Sequence, residues 1–478
     1  MPRSVFVSAD HGLAVVYFLQ SDVVPTLLEH GLEVVVLTDD ALTQRLAQRF
    51  GRPGLHFEGL RLDRARAYFR RHNYRAQWWL DFLRRAGASN RIPLGAVESY
   101  IQQVAFEARG RRRAFLQLAL AYVTLMRRWR WARQAVVRAQ WRYTPDLYGD
   151  LFAKYRPALV VASTPGWRWD RYLLREARFV HGVPTAAVIV GWDNTSSYSL
   201  PGAPVDALNV WSAIQRREAV EGSDWDPARI HIGGIPSYDG YYRRQWVLPR
   251  MTYFRRHGLD PQRKLIAYAA SFVTFAPNYP NIAALADLVA HDRLDFPAQL
   301  LVRLHPNHFL DVPHFAAERE RVLDLARRLP HVHVVRPVPL GGSLGYYSGE
   351  DMDEKSSMMA HADVFTTVYS TMVVETAIHD TPVVSVCLDA PEPWPGKFTL
   401  KLSEIGHWPT HSRFLQSGAG QVAFDQAQLR AALNQALAHP EAQAEARRAF
   451  VARETTYTDG SAGQRVGAWL ARLASAAG

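Results

Sequence analysis

Five short polar strings in this chain carry side chains that bind anions or move protons. Each follows an apolar run. Asp10-His11-Gly12 follows Val5-Phe6-Val7; His11 is a candidate general base, with Gly12 leaving room for a ligand. Trp192-Asp193-Asn194 follows Thr185–Val190. Asp10 and Asp193 are alternative bases, and an indole beside an amide (Trp192, Asn194) suits the face of an acceptor sugar. Ala270-Ser271-Phe272 follows Leu265–Tyr268, and Ser271 is a candidate phosphate contact. His305-Pro306-Asn307 follows Leu300–Leu304. Pro306 ends the strand, and an imidazole there can offset charge on a leaving phosphate. Tyr369-Ser370-Thr371 follows Val364–Thr367 and opens a helix. Ser370 is read as its N-cap, so the first N–H groups point at an anion such as a diphosphate. Glu375, one turn in, can accept from ribose hydroxyls.

The elements that must position these residues alternate in type. In the first half, apolar runs at 5–7, 33–37, 158–161, 185–190, 207–211 and 230–232 predict strands, with helices at the start and at 171–181. Strands at 265–268, 299–304, 331–335, 364–367 and 383–386 follow. Helices at 281–291, 314–329, 371–378 and 425–438 lie between or after them. Apolar strands alternating with helices predict parallel sheets covered on both faces. The expected fold is therefore α/β, with two Rossmann-like, doubly wound domains. The first is read as residues 1–240, the second as 241–455, and a last helix at 456–478 crosses back to the first. The chain is expected to cross between domains at about 234–262, after Gly233-Gly234. In such sheets ligands bind outside the carboxyl ends of the strands, where these strings fall.

The 478 residues exceed one ordinary core. The net charge of +11 is localised. Residues 61–142 hold 19 Arg against Asp63, Asp81, Glu98 and Glu107, more than the whole excess. Residues 61–143 read as a helical insertion split near Asn90 and Pro93, and Trp129, Trp131 and Trp141 stand among its arginines. Arg and Trp beside an apolar stripe predict docking of residues 105–143 at an anionic membrane surface; the bland alternative is a solvated Arg face. No nucleic-acid module is present, so nucleic acid is not an expected partner. The opening string is unlike a secretory signal, and the longest apolar run, Ala114–Met126, is too short to span a bilayer. One cysteine, Cys387 in an apolar run, excludes a disulfide framework. A cytoplasmic protein, peripheral at the inner face of a membrane, is expected.

Residues 303–307 (RLHPN) and 360–386 (AHADVFTTVYSTMVVETAIHDTPVVSV) resemble the donor half of the GT-B glycosyltransferase superfamily. The similar branch includes CDP-glycerol glycerophosphotransferases, polysialyltransferase-like enzymes and UDP-N-acetylglucosamine 2-epimerases. Residues 456–462 (TYTDGSA) resemble the motif opening the final helix of such proteins, and 191–197 (GWDNTSS) a pattern of bacterial surface-glycan members. The resemblance implies transfer of a sugar or polyol-phosphate from a UDP-, CMP- or CDP-linked donor to a glycan or lipid-linked acceptor, with no cofactor required. It implies donor phosphates at His305, Ser370 and Thr371, and ribose at Glu375. The usual Gly-rich phosphate loop is replaced by Tyr369-Ser370-Thr371, and a spaced second Glu is missing, which argues against a retaining mechanism. Competing readings are a non-hydrolysing epimerase and a non-catalytic binder on the same scaffold. Asp224-Trp225-Asp226 and Asp351-Met352-Asp353 are read as caps, His331-Val332-His333 lacks a third ligand, and no metal is expected.

Overall fold

The computed structural model describes residues 3–271, 273–342 and 347–476. Phe272, which falls in one of the expected ligand loops, lies outside the described residues. The chain forms two compact units. The first comprises Met1–Asp239, Leu340–Ser348 and Thr455–Gly478; the second comprises Gly240–Pro339 and Gly349–Glu454.

The first unit is built on seven strands: β1 (Ser4–Ser8), β2 (Glu33–Thr38), β3 (Leu55–Gly59), β4 (Pro157–Ala162), β5 (Thr185–Val188), β6 (Ala207–Val210) and β7 (Ile230–Ile232). They pair in parallel in the order β3-β2-β1-β4-β5-β6-β7. β1 is buried along its length, with Val5-Phe6-Val7 between two serines, and the apolar β4 is buried except at half-buried Ala158, as strands covered on both faces must be. Helix α1 (Gly12–Leu19) follows β1 directly. The final helix, Ala462–Ala476, buries Val466, Trp469 and Leu470 in the same core.

The Arg-rich insertion forms five helices: α2 (Leu62–Arg71), α3 (Tyr74–Ala86), α4 (Gly95–Glu107), α5 (Arg111–Arg128) and α6 (Arg130–Gln140). More breaks occur than Asn90 and Pro93 alone predict. Asn73 and Gly110 adopt left-handed backbone conformations, and Trp129 is extended between α5 and α6. Nor are all its arginines solvated. Arg84 is buried and donates to the Tyr198 and Leu200 carbonyls (2.7 and 2.9 Å). Arg133 is buried and grips Asp224 with two bonds of 2.7 Å. Asp224 is thus an ion-pair partner rather than a cap, whereas Asp226 does cap, accepting from Ala228 N–H (2.9 Å). Helix α7 (Asp170–Phe179) then leads into β5.

The second unit has β8 (Lys264–Ala269), β9 (Ala298–Arg303), β10 (Val332–Val335), β11 (Val364–Thr367), β12 (Val383–Val386) and β13 (Gln421–Ala423). All pairs are parallel, in the order β10-β9-β8-β11-β12-β13. Helices α8 (Tyr279–Ala290) and α9 (Pro313–Arg328) follow β8 and β9, while α10 (Met352–His361) and α11 (Met372–Ile378) precede and follow β11. In each sheet the chain winds outward one way and then the other. The direction switches between β1 and β4 in the first sheet and between β8 and β11 in the second. The edge strands β3 and β13 were not expected; both are short and carry polar residues.

The Arg133–Asp224 pair is buried, so removing one member strands the other's charge. Arg133→Ala should cost about 3 kcal/mol, read as a lower urea midpoint, whereas Arg142→Ala at an exposed site should stay within about 0.5 kcal/mol.

Candidate functional site

At the switch point of the first sheet, Asp10 ends the turn after β1 and is fully buried. Its carboxylate accepts from Ser163 Oγ (2.6 Å), just past β4, from Arg168 Nε (3.0 Å) and from His11 Nδ1 (2.6 Å). Asp10 is therefore neither free nor a helix cap. Burial alone would raise its pKa, but His11, Arg168 and Ser163 together hold it well below the usual carboxylate range. Because Nδ1 of His11 donates to Asp10, the ring's basic lone pair is on Nε2. The His11 pKa is lowered, first by burial and then by Arg168, against the pull of Asp10. A neutral imidazole oriented by a fixed carboxylate is the arrangement of a general base.

A second carboxyl shares this pocket. Asp170, the first residue of α7, is buried and accepts from Thr164 Oγ1 (2.6 Å) and Arg168 N–H (3.2 Å). Burial and then the Asp10 charge push its pKa up to about 7. Ser163, Thr164, Arg168 and Asp170 were not anticipated. The string Ser163–Asp170 does follow an apolar strand, which was the available signal.

The GWDN string lies past β5 in the same unit. Asp193 accepts from Ser197 Oγ (2.8 Å) at the start of a short helix. Trp192 is 3% exposed, so its ring belongs to the core and is no surface platform for a sugar. Gln215 fixes the turn by donating to the Gly191 and Trp192 carbonyls (3.1 and 3.2 Å). Asn194 is half-buried, its side chain against Gly191.

In the second unit Ser271 bridges the switch point, donating from Oγ to the Val368 carbonyl (2.8 Å) past β11. Past β9, His305 Nδ1 accepts from Asn307 N–H (3.1 Å), and His308 Nδ1 accepts from His305 N–H (3.1 Å). His308 in turn donates to Glu318 (2.8 Å), which also accepts from the Asn278 and Tyr279 amides (2.5 and 2.8 Å). Burial, then His308 and Arg303, drop the His305 pKa to about 3. The ring is neutral with its proton on Nε2. The buried Asn307 Oδ1 has no hydrogen-bond partner.

Past β11, Tyr369 adopts φ +38°, the left-handed region where glycine is at ease. Its ring stacks on His411 (4.5 Å), which stacks on Trp408 (5.2 Å), and its N–H donates to Ser385 Oγ (2.9 Å). These contacts offset the strain of a bulky residue in a conformation that favours glycine. Thr371, not Ser370, occupies the cap position, yet the Ser370 hydroxyl accepts from Met372 N–H (3.2 Å) and its carbonyl from Val373 N–H (2.9 Å). Two of the amides expected at the anion are thus used locally. Those of Ser370 and Thr371 have no partner among the described residues. Glu375 is not open to solvent: it is buried, paired with Lys355, and accepts from Tyr241 Oη (2.8 Å). Asp351 is likewise no cap, pairing with Arg303 (2.6 Å). A cavity of about 860 Å³, lined by Pro277, Tyr279, Pro313 and Trp394 together with charged groups such as Arg321, Glu392 and Lys397, holds none of the expected donor residues. Among the described residues no three His, Cys, Asp or Glu cluster as metal ligands.

This two-sheet architecture has solved counterparts. The UDP-GlcNAc 2-epimerase of Neisseria meningitidis, bound to UDP-GlcNAc, superposes with TM-score 0.53 over 98% of this chain and 100% of its own, at 10% identity. S. aureus MnaA, solved with UDP, gives 0.52 over 97% and 94% at 12% identity. A glycosyltransferase of Rickettsia africae gives 0.50 over 99% and 98% at 9% identity. The chain has the GT-B fold. No protein-family model and no curated protein matches the sequence.

The Asp170 carboxyl gives the GT-B chain a pH signature. Unfolded, Asp170 has an ordinary value of about 4; folded, it holds its proton to about 7. Between these limits the unfolded chain has lost a proton that the native state keeps, so this residue lowers stability as pH rises. The stability of Asp170→Asn relative to wild type should therefore climb from about pH 4 to about pH 7, by at most about 1.4 kcal/mol per unit, and then level off. A flat difference across thermal melts would contradict a protonated Asp170.

Proposed function

We propose that the protein is a glycosyltransferase moving a sugar, or a polyol-phosphate, from a nucleotide-activated donor to a glycan or lipid-linked acceptor. What supports this reading, on a GT-B fold, is an imidazole oriented by a buried carboxylate (His11 on Asp10) in one unit and, in the other, a loop whose Ser370 and Thr371 amides have no partner among the described residues. In this reading His11 Nε2 takes the acceptor hydroxyl's proton, and Asp10 stabilises the imidazolium that forms. The amides of Ser370 and Thr371, with neutral His305, meet the charge of the leaving phosphates without a divalent cation. Ser271 and Asn307 hold these loops in place, and Glu375, with Lys355 and Tyr241, stands at the ribose. Asp193 and Asn194 are assigned to the acceptor. Direct displacement by the activated hydroxyl inverts the anomeric centre.

The proposed partner surface is an anionic membrane at its cytoplasmic face. Between Glu107 and Asp146 the chain carries ten Arg and no Asp or Glu. On α5, Phe115 and Leu118 are exposed, as are Trp129 and Trp131 beyond it. Apolar rings and Leu118, 68% exposed, fringed by guanidinium groups suit an interfacial helix. No helix among the described residues is long and apolar enough to cross a membrane.

A second reading, epimerisation of a UDP-sugar, draws support from the Neisseria epimerase bound to UDP-GlcNAc. Product analysis with UDP-GlcNAc alone separates the two, because an epimerase needs no acceptor.

Among UDP, CMP, CDP, GDP and dTDP, one nucleotide should raise the melting temperature, since a ligand bound only to native protein stabilises it. His11→Ala should cut turnover by about 10²- to 10⁴-fold while leaving that shift intact, and the acid limb of the wild-type pH–rate profile should lie below about 6.5. No nucleotide shift, or unchanged turnover in His11→Ala, refutes the assignment. Vesicles containing phosphatidylglycerol should sediment the protein, and Leu118→Glu with Trp131→Glu should release it; equal sedimentation of both would rule out this docking face.

A further inference from the structure

The first unit has a second concave feature, at the opposite end of its sheet from Asp10. A groove of about 530 Å³ runs by the amino ends of β5, β6 and β7. Helix α6 lines it through Gln134 and the adjoining Trp141; the chain before β7 lines it through Trp225, Asp226 and Arg229. Phe179, the last residue of α7, also lines it, its ring 5.4 Å from that of Trp141.

Buried contacts hold these walls. The Arg133–Asp224 pair ties the segment before β7 to α6. Arg175, inside the core, donates to the Gly202 and Tyr143 carbonyls (3.0 Å each). Asp206 accepts from Thr185 N–H (3.0 Å), fixing the approach to β6. The groove is thus preformed, as small-molecule sites usually are. Two of its lining groups are buried without a hydrogen-bond partner among the described residues: Trp141 Nε1 and Ser223 Oγ, Ser223 being 4% exposed. Native structures rarely leave such groups unsatisfied.

The lining chemistry selects a ligand class. Aromatic rings of Trp141, Trp225 and Phe179 suit the C–H face of a pyranose. Carboxylates of Asp206 and Asp226 and guanidinium groups of Arg178 and Arg229 offer paired acceptors and donors for vicinal hydroxyls. A lipid tail would meet six charged groups, and a nucleic acid would meet three carboxylates. We propose that this groove binds a short oligosaccharide, as a second glycan site remote from the chemistry. The proposal rests on the glycosyltransferase reading. A four-residue strand at about 3.3 Å per residue puts the groove at least about 13 Å from the carboxyl end of the sheet. A chain held there would remain attached between transfers, so the site would favour elongation of long glycans over short ones.

The test uses the full-length protein with maltotetraose, chitotetraose and α2,8-linked tetrasialic acid, followed by saturation-transfer NMR and calorimetry. At least one should bind with a Kd of about 1 mM or tighter. Trp225→Ala should weaken it about tenfold, Trp225→Phe should restore part of the loss, and the exposed Arg229→Ala should weaken it with an unchanged melting temperature. His11→Ala should bind the oligosaccharide as wild type does. Absence of binding for all three sugars, or wild-type affinity in both Trp225→Ala and Arg229→Ala, overturns the proposal. The nucleotide-induced melting shift is read separately: if it persists while oligosaccharide binding fails, only the groove assignment falls, and if it vanishes while sugars bind, only the donor reading does.

Discussion

The first unit depends on keeping one buried carboxylate ionised. Asp10 sits where water cannot solvate it, and an isolated charge there would be prohibitive. Three donors replace the lost water: Ser163 from the neighbouring strand, Arg168 from the approach to α7, and His11 from the next residue along. Each donor comes from a different part of the chain, so the bond set also pins β1, β4 and α7 together. It has a further cost nearby. A second negative charge cannot be accommodated beside the first, and Asp170 accordingly keeps its proton.

The second sheet uses the same topological position with different physics. There a neutral bond, Ser271 to the Val368 carbonyl, spans the switch point. The charge is kept further back, in the buried pairs Lys355–Glu375, Arg303–Asp351 and His308–Glu318. What the β11 loop presents is backbone: two amides without partners among the described residues, reached through a strained Tyr369 clamped by a stack of aromatic rings.

Much of this was legible in the sequence because parallel strands buried on both faces are unbroken apolar runs. β11 and β12 begin and end where their Val-rich strings do, and the polar residues after them fall at the strand ends by necessity. Two of the four edge strands, β3 and β13, escaped notice because they are short and interrupt their apolar residues with polar ones, as His56 and Glu58 do in β3. The candidate residues do stand two or three positions past a strand end, as with Asp10, His11, His305 and Ser370. What they bond to was not legible, because those partners come from distant segments: Arg168 lies 158 positions from Asp10, and Tyr241 lies 134 from Glu375. Trp192 misled for a related reason. A tryptophan beside Asp and Asn reads as a binding surface, but an immediately preceding Ile-Val-Gly string can carry the ring into the core.

The segment Leu340–Ser348 belongs to the first unit although β10 and α10, on either side of it, belong to the second. Leu340 joins the first core, its carbonyl accepts from Arg45, and the Ser348 carbonyl accepts from Arg49 (3.0 Å). At Gly12 any larger side chain would strike the Tyr347 carbonyl. Together with the final helix, this means the polypeptide changes unit four times. A protease nick or a gene truncation at any single junction would leave one half without pieces of its own core. The two halves are thus obliged to be synthesised, folded and lost together, and shuffling a new second unit onto this first one would require grafting a nine-residue splint as well as a domain.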